Sequence, residues 1–564
     1  MYARLPLPVC VLLAYACNTS DVDPTTDVVD SDPDDSIPVV NTDEPVDTEP
    51  PAPKLTIFST GPKPCQAPVP AGGPFFEVRR ADAYRAEVPF VVGGGVAVAE
   101  LDGDGIPDTV VVNQRAVHVL HPLVQAGTRG EVILSHDDPD PRHGFFGASA
   151  ADYDGDGDFD LMITRHPGPN TLLQNDGRGV FSDVTAQAGV AGPDDHWSAS
   201  SAWADMDLDG DLDLVVAGYG AFPEDPEIPA EAFEPADPTL LYENLGDGTF
   251  ADVTDRIEAS TQGSFTFTAG FHDIDGDLLP DLYLANDFAE KRDPSRALLQ
   301  RGGRFVLDTS VDGLTSTVIG MGLGAGDLNG DQRLDFLLPG WNDLGLLVSQ
   351  PGGWFDMSQV LGVEPDSRRD QKVAWASEFV DINNDARLDI FVGYGYLDSR
   401  STVNELRQPD SMFLQTGDMV FEDRGERLGL DQSVSTRGVV FADVNEDGWL
   451  DFTRVSLDAD AGLFVAACGE RSWIRVNLRQ DGMNRHAIGA RVKVRTGAIE
   501  QTRYILAGGT GWGSSGPPDA HFGLDMSEVV DEIEITWPDG HIDQIEQVNA
   551  REVLTLTRAP TTSP

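Results

Sequence analysis

Seven times this chain writes one acidic phrase, and each time an apolar, strand-like run follows. The copies are ELDGDGIPD (Glu100–Asp108), DYDGDGDFD (Asp152–Asp160), DMDLDGDLD (Asp205–Asp213), DIDGDLLPD (Asp273–Asp281), DLNGDQRLD (Asp327–Asp335), DINNDARLD (Asp381–Asp389) and DVNEDGWLD (Asp443–Asp451). Their first residues lie 52, 53, 68, 54, 54 and 62 residues apart. A period of about 53 residues is the mark of a repeat architecture in which no unit buries its apolar face alone. Two copies carry insertions, an acidic, proline-rich one at Gly220–Pro238 and another around Asp398–Ser411.

Within each phrase, side-chain oxygens recur at positions 1, 3, 5 and 9. Oxygens at positions 1, 3 and 5 of a tight loop converge on one point, position 7 offers its carbonyl, and position 9 opens the next strand. Five or six oxygens with net negative charge suit Ca²⁺ better than the stricter octahedron of Mg²⁺. The candidate ligands are Glu100, Asp102, Asp104 and Asp108; Asp152, Asp154, Asp156 and Asp160; Asp205, Asp207, Asp209 and Asp213; Asp273, Asp275, Asp277 and Asp281; Asp327, Asn329, Asp331 and Asp335; Asp381, Asn383, Asp385 and Asp389; and Asp443, Asn445, Asp447 and Asp451. Aspartate and asparagine also close turns onto their own backbone without an ion. Seven copies at one spacing favour the metal, with up to seven Ca²⁺ in structural roles. Glu100 makes the first copy the least regular. Leu278, Gln332 and Ala386 stand where other copies place the glycine after position 5, which predicts poorer turns there.

Each unit has one grammar: a strand of small residues (FGASAA, SASSAWA, SFTFTAGF), the acidic loop, an apolar strand (LMIT, LVVAG, LYLAN), and a third and fourth strand around a glycine turn, as in TLLYENLGDGTFADVT. Four strands per unit, with small residues on the first, predict an all-β fold, a seven-bladed β-propeller whose innermost strands crowd the axis. The seventh unit lacks its fourth strand. GGPFFEVRR (Gly72–Arg80) resembles the missing piece and is expected to close the ring. That closure places Cys65 and Cys468 in one blade as a possible disulfide.

These phrases resemble the FG-GAP/VCBS repeats of integrin-type propellers. Downstream, SWIRVNLRQDGMNRHAIGARVKVRTG, GTGWGSSGPPDAHFGLD and VDEIEITWPDGHIDQIEQV resemble the ASPIC/UnbV domain. It follows FG-GAP repeats in proteins similar to cartilage acidic protein. The resemblance implies a calcium propeller with a small β-rich domain and supplies no chemistry for the latter. Asn484, Arg485, His486, Arg491 and His521 are its candidate polar residues. The simpler assignment makes Trp473, Trp512 and Trp537 core or docking surface.

The N-terminus reads as an address and a tether. Met1–Ala16 has one basic residue, a short apolar run and Ala-Tyr-Ala before Cys17, the pattern of a lipoprotein-type signal peptide. Lipidation at Cys17 would anchor the chain on a bacterial envelope, at the outer membrane or cell surface; ordinary cleavage would secrete it. The expected organisation is residues 1–16 signal, 17–56 disordered acidic Pro/Thr linker, 57–470 propeller, 471–558 ASPIC/UnbV domain and 559–564 tail.

With 38 basic and 95 acidic residues the formal charge is −57, which repels phosphate backbones and excludes nucleic acid as a partner. There is no CxxC, HExxH, GxSxG or Walker phosphate loop. The expectation is a non-enzymatic binding or adhesion protein for an unknown protein or polysaccharide. The alternative is a lyase-like carbohydrate-active enzyme, for which His136, Arg142 and His143, with Lys291 and Arg292, are the contributors in view. Mass spectrometry of the N-terminal peptide is expected to find acylated Cys17, and Cys17→Ser to release the protein from membranes; an unmodified Cys17 would leave a secreted protein.

Overall fold

The computed structural model describes residues 55–61, 63, 76–80, 94–121, 131–135, 144–220, 235–308, 310–365, 372–396, 407–457, 459 and 461–559. The signal and linker segments, Cys17, Cys65 and the loop of His136, Arg142 and His143 lie outside these residues. Ala52–Ser563 forms one compact unit.

Among the described residues seven antiparallel sheets follow one another along the chain, each with four strands of its own. In the second, Gly144–Ala151, Asp160–His166, Thr171–Asn175 and Phe181–Asp183 pair in order. The others repeat this order, with innermost strands Val96–Ala99, Ser198–Ala204, Thr266–His272, Gly324–Gly326, Ala374–Val380 and Thr436–Ala442. Every acidic phrase joins a first strand to a second. Its ninth residue is the first residue of that second strand in all seven sheets.

The ring closes as the sequence predicts. Phe76–Arg80 pairs antiparallel with Gly462–Ala466 as the outer strand of the seventh sheet. The seventh sheet also packs on the first, with Val96, Val98 and Val111 buried against Val440, Ala442 and Val455. The outer edge that the seventh sheet would otherwise expose at Gly462–Ala466 is thereby paired.

One segment departs from the expected boundary. Leu55–Thr60, at the junction expected between linker and propeller, pairs antiparallel with Glu552–Arg558 and is an edge strand of the C-terminal module. That sheet continues through Trp473–Arg479, parallel to Glu552–Arg558, and Asp519–Gly523. A second sheet runs Ile499–Tyr504, Arg491–Thr496, Val529–Thr536 and Ile542–Asn549. The two share a core of Ile474, Val476, Leu478, Val492, Ile533, Trp537 and Leu556. It is continuous with Tyr153, Trp203 and Phe250 of the second and third propeller sheets.

The axis of the ring is filled by the module itself. Ala507–Gly508 adds to the third sheet at Ala202 and Trp203. Gly511 exchanges backbone hydrogen bonds with Leu323, Ser515 exchanges them with Val96 and Val98, and the Gly513 carbonyl accepts from the Ala148 amide. Small residues on the innermost strands therefore serve two ends. They crowd the axis, and they admit this segment: a Cβ on Gly95 would stand 2.2 Å from the Gly513 carbonyl oxygen, and one on Gly270 2.5 Å from that of Gly509. At the centre, the fully buried Trp512 ring meets Phe146 at 5.0 Å, Phe267 at 4.7 Å and Trp375 at 4.7 Å between centroids. Trp512→Ala should cost about 3–5 kcal/mol and lower the melting temperature of module and propeller together in a single transition by calorimetry. Two separated transitions would show that the axial segment does not couple them.

Candidate metal centres on the loop face

The acidic loops share one backbone. Positions 4 and 6 both take left-handed conformations, including Leu208 (φ 61°), Leu278 (φ 72°), Gln332 (φ 66°), Asn384 (φ 57°), Ala386 (φ 67°) and Glu446 (φ 57°). The turns at Leu278, Gln332 and Ala386 therefore match those of the glycine copies, at a strain of roughly 1–2 kcal/mol per residue. The hydrogen bonds that hold them there come from position 1: the second oxygen of Asp327 accepts from the Gln332 amide at 2.9 Å, and that of Asp381 from the Ala386 amide at 2.8 Å.

Position 9 has a role the sequence does not announce. Its carboxylate is buried and ties the loop to the third strand. In the second sheet Asp160 accepts from the Tyr153 amide at 3.4 Å and the Asn175 amide at 2.8 Å. The same pair of bonds recurs at Asp213, Asp281, Asp335 and Asp389. In the first sheet the imidazole Nδ1 of His121 stands 2.6 Å from Asp108 and replaces the second amide.

Positions 1, 3 and 9 converge. One oxygen from each of Asp152, Asp154 and Asp160 lies within 4.8 Å of the others, as do those of Asp205, Asp207 and Asp213 and of Asp273, Asp275 and Asp281. In the first loop the clusters are Glu100, Asp102 and Asp104, and Asp102, Asp108 and His121. The position-5 carboxylates Asp156, Asp209 and Asp277 stand outside these clusters; Asp156 instead accepts from the Asp158 amide. Among the described residues no group of three carboxylates forms in the last three loops, where position 3 is Asn329, Asn383 and Asn445.

A cation fits the second and third loops on two counts. Asp152 and Asp205 are buried, one oxygen of each accepts from the position-6 amide, and the other has no donor. An unmet buried carboxylate oxygen is costly unless a cation faces it. Burial, aided by neighbouring carboxylates, pushes Asp152 up to about 7, Asp205 to about 6, Asp213 to about 8 and Asp160 to about 9. With an all-oxygen donor set, Asp152, Asp154, Asp160 and Asp205, Asp207, Asp213 are suited to a hard divalent ion.

A model of the FG-GAP-like repeat matches residues 100–163, 152–216, 273–338 and 381–452, and one for ASPIC and UnbV matches residues 480–563. The chain carries FG-GAP-like repeats and an ASPIC and UnbV domain. Each repeat match begins on position 1 of an acidic loop and ends in the second strand of the next sheet. The chain is similar to cartilage acidic protein 1 of Mus musculus, at 23% identity over 480 residues, covering 79% of this chain and 70% of that protein. It is also similar to the Homo sapiens protein of that name, at 25% over 487 residues, covering 79% and 69%. Solved structures similar to part of it include an Agrocybe aegerita lectin recognising non-reducing terminal N-acetylglucosamine (TM-score 0.36, 15% identity, 65% of this chain and 87% of that one). Another is a chain of the mitotic checkpoint complex (TM-score 0.38, 10% identity, 72% and 97%).

The ASPIC and UnbV domain lies on the loop face of the FG-GAP-like repeats. Its five candidate polar residues do not form one site. The Arg485 guanidinium donates to the Gly155 carbonyl of the second loop, at 2.5 Å. His486 packs on Phe159, with 4.3 Å between ring centroids. His521 meets the Gly448 carbonyl of the seventh loop at 3.1 Å. The buried Asn484 side chain bonds within its own turn, to Ile488, and Arg491 is half-buried on the second sheet. Trp473 packs over Gly448, where a Cβ would overlap the indole, so it is the docking residue and Trp537 the core one. A cleft of about 280 Å³ opens between Asp205, Asp209 and the module's Asp481, Asp539 and Arg558. Away from this face, Lys291 is exposed and Arg292 stacks on Phe265, at 5.3 Å from the ring centroid. Cys468 is disulfide-bonded, and Cys65 lies outside the described residues.

The raised carboxyl pKa values set a pH dependence. A folded value above the unfolded value of about 4 means that the ion-free fold is favoured in acid and loses that contribution as pH rises. From Asp205, Asp152, Asp213 and Asp160 the window runs from about pH 4 to about pH 9. In EDTA the melting temperature should fall from pH 5 to pH 9. With millimolar Ca²⁺ the fall should flatten. A melting temperature that climbs with pH in EDTA would contradict this electrostatic account.

Proposed function

We propose that this protein is a calcium-stabilised, non-enzymatic binding or adhesion protein, lipid-tethered at the outside of a bacterial cell, that presents one propeller face to a protein or polysaccharide. The similarity to cartilage acidic protein and the FG-GAP-like repeats support a binding role. The observation that carries the choice of face is the placement of the ASPIC and UnbV domain. It packs on the acidic-loop face and fills the axis, which favours the opposite face, where the second strands end, as the one offered to a partner.

Half-buried aromatic side chains stand at those strand ends. Trp341 follows Asp335–Pro339, Tyr396 follows Asp389–Tyr394, and their rings meet edge-on at 5.7 Å. Trp197 precedes Ser198–Ala204 and meets His166 at 4.7 Å. Half-buried aromatic rings suit both sugar faces and protein hot spots because they offer a rigid apolar surface at low entropic cost. No helix among the described residues is long and apolar enough to cross a membrane; attachment in this proposal rests on Cys17.

Two measurements test the proposal. Melting in millimolar Ca²⁺, Mg²⁺ and EDTA should give the highest midpoint in Ca²⁺, because only the folded loops bind the ion; equal midpoints would remove calcium from the account. Glycan and surface-protein arrays probed with wild type and Trp341→Ala should show a ligand whose binding falls at least about tenfold in the variant, the loss of one interface hot spot. A ligand held equally by both would place recognition elsewhere.

A further inference from the structure

The seven loops divide into two kinds. In the first five, the position-5 side chains Asp104, Asp156, Asp209, Asp277 and Asp331 are exposed. In the sixth and seventh, Asp385 and Asp447 are buried, at 7% and 5% exposure. Position 3 of the seventh loop, Asn445, is buried too, and Asn384 at position 4 of the sixth is fully buried. The covering comes from the C-terminal module. The Asp525 amide donates to the Asn384 carbonyl, Gly523 packs on Asp381 and Asn384, and Trp473 and His521 close over Gly448.

Each covered loop receives a guanidinium from the segment that begins the module. Arg471 Nη1 contacts the side-chain oxygen of Asn383, the position-3 group of the sixth loop. It also donates to the Asn383 carbonyl at 3.1 Å and stands 3.7 Å from Asp385. Arg387, from within the loop, takes the same Asp385 oxygen at 2.7 Å. Both Asp381 oxygens accept backbone amides, from Asp385 and Ala386. In the seventh loop the buried Arg475 donates to the Asp443 carbonyl at 3.2 Å. It stands 3.7 Å from the Asp443 carboxylate and 3.3 Å from Glu446. Lys63, just beyond the module's edge strand, adds a contact to Glu446 at 2.5 Å. In the seventh loop both Asp443 oxygens and the Asn445 side-chain oxygen accept backbone amides, and one Asp451 oxygen has no donor. In both covered loops a guanidinium of the module stands beside the carboxylates.

We propose that the sixth and seventh loops are not calcium sites but the sockets of an inter-domain clasp, in which Arg471 and Arg475 stand where an ion would. Arginine suits this role because its charge persists at every working pH and its planar fork satisfies several oxygens at once. An ion entering either loop would have to displace a guanidinium and expose buried carboxylates beneath the docked module, at the cost of breaking a buried pair. Calcium would then govern the five open loops only, while the module stays docked without it. The inference rests on the calcium reading for its count of ions, and the second arm of the test does not.

The test uses the full chain, stripped of metal, dialysed to equilibrium against Ca²⁺ and counted by atomic emission. About five ions are expected. Asp154→Ala, at a residue of the converging cluster, should lower the count by one, and Asp385→Asn should leave it unchanged. Seven ions, or a loss of one on Asp385→Asn, would overturn the clasp. A count of zero would remove calcium from the account, and the clasp is then judged by Arg471→Gln, at a half-exposed residue whose loss leaves the core intact. In EDTA that variant should melt roughly 1–3 °C lower than wild type and show faster amide exchange at Asn384 and Asp525. No change in either measurement in EDTA would overturn the clasp independently of any ion.

Discussion

Buried carboxylates at the heads of the second strands hold the propeller sheets to their loops. The position-9 aspartate is excluded from water, and in the second to sixth sheets each of its two oxygens accepts a backbone amide, one from the loop behind it and one from the third strand beside it. A charge in that position binds amides more strongly than a neutral acceptor would. It also raises the energy of the ion-free fold, since several carboxylates share a space from which water is excluded. The turn that closes the sheet therefore creates the demand for a cation. Where the module covers the sixth and seventh loops, Arg471 and Arg475 stand beside their carboxylates; the position-5 carboxylates of the other five loops are exposed to solvent.

The second dependence is mutual. The propeller needs a filled axis because its innermost strands carry too little side chain to close it, and the module supplies Trp512 and a run of glycines that only such strands can admit. The module in turn draws on the propeller: its core runs on into Tyr153, Trp203 and Phe250, and its edge strand comes from the chain that precedes the ring. Neither part has a boundary across which contacts are few, which is the usual condition for domains to move independently.

Much of this was written in the sequence, and the reasons are local. Oxygen spacing of 1, 3, 5 and 9 depends on a nine-residue turn, so all seven loops and the strands after them could be placed to the residue. Closure by Phe76–Arg80 was legible because the pattern of a missing fourth strand recurs at the other end of the ring. The turns at Leu278, Gln332 and Ala386 were misjudged because side-chain propensity was weighed without the position-1 carboxylate that holds the backbone there. His121 was missed because it reaches the first loop from the end of the third strand of the same sheet, Ala116–Leu120, outside the phrase.

What the sequence alone determined is whatever depends on contacts between near neighbours: the repeat, the four-strand unit, the acidic turns and the identity of both parts. Tertiary structure decided what depends on residues far apart in the chain. Arg471 and Arg475 lie outside every repeat, and only docking brings them to Asn383 and Asp443. Trp512 looks like one more aromatic in a glycine-rich turn until the ring places Phe146, Phe267 and Trp375 around it. Leu55–Thr60 reads as the junction of linker and propeller because a lone edge strand has no pattern without its partner, Glu552–Arg558, almost five hundred residues away. Chain distance hides such contacts because the physics that selects them, burial and charge pairing, acts on separation in space and leaves no periodic trace in the sequence.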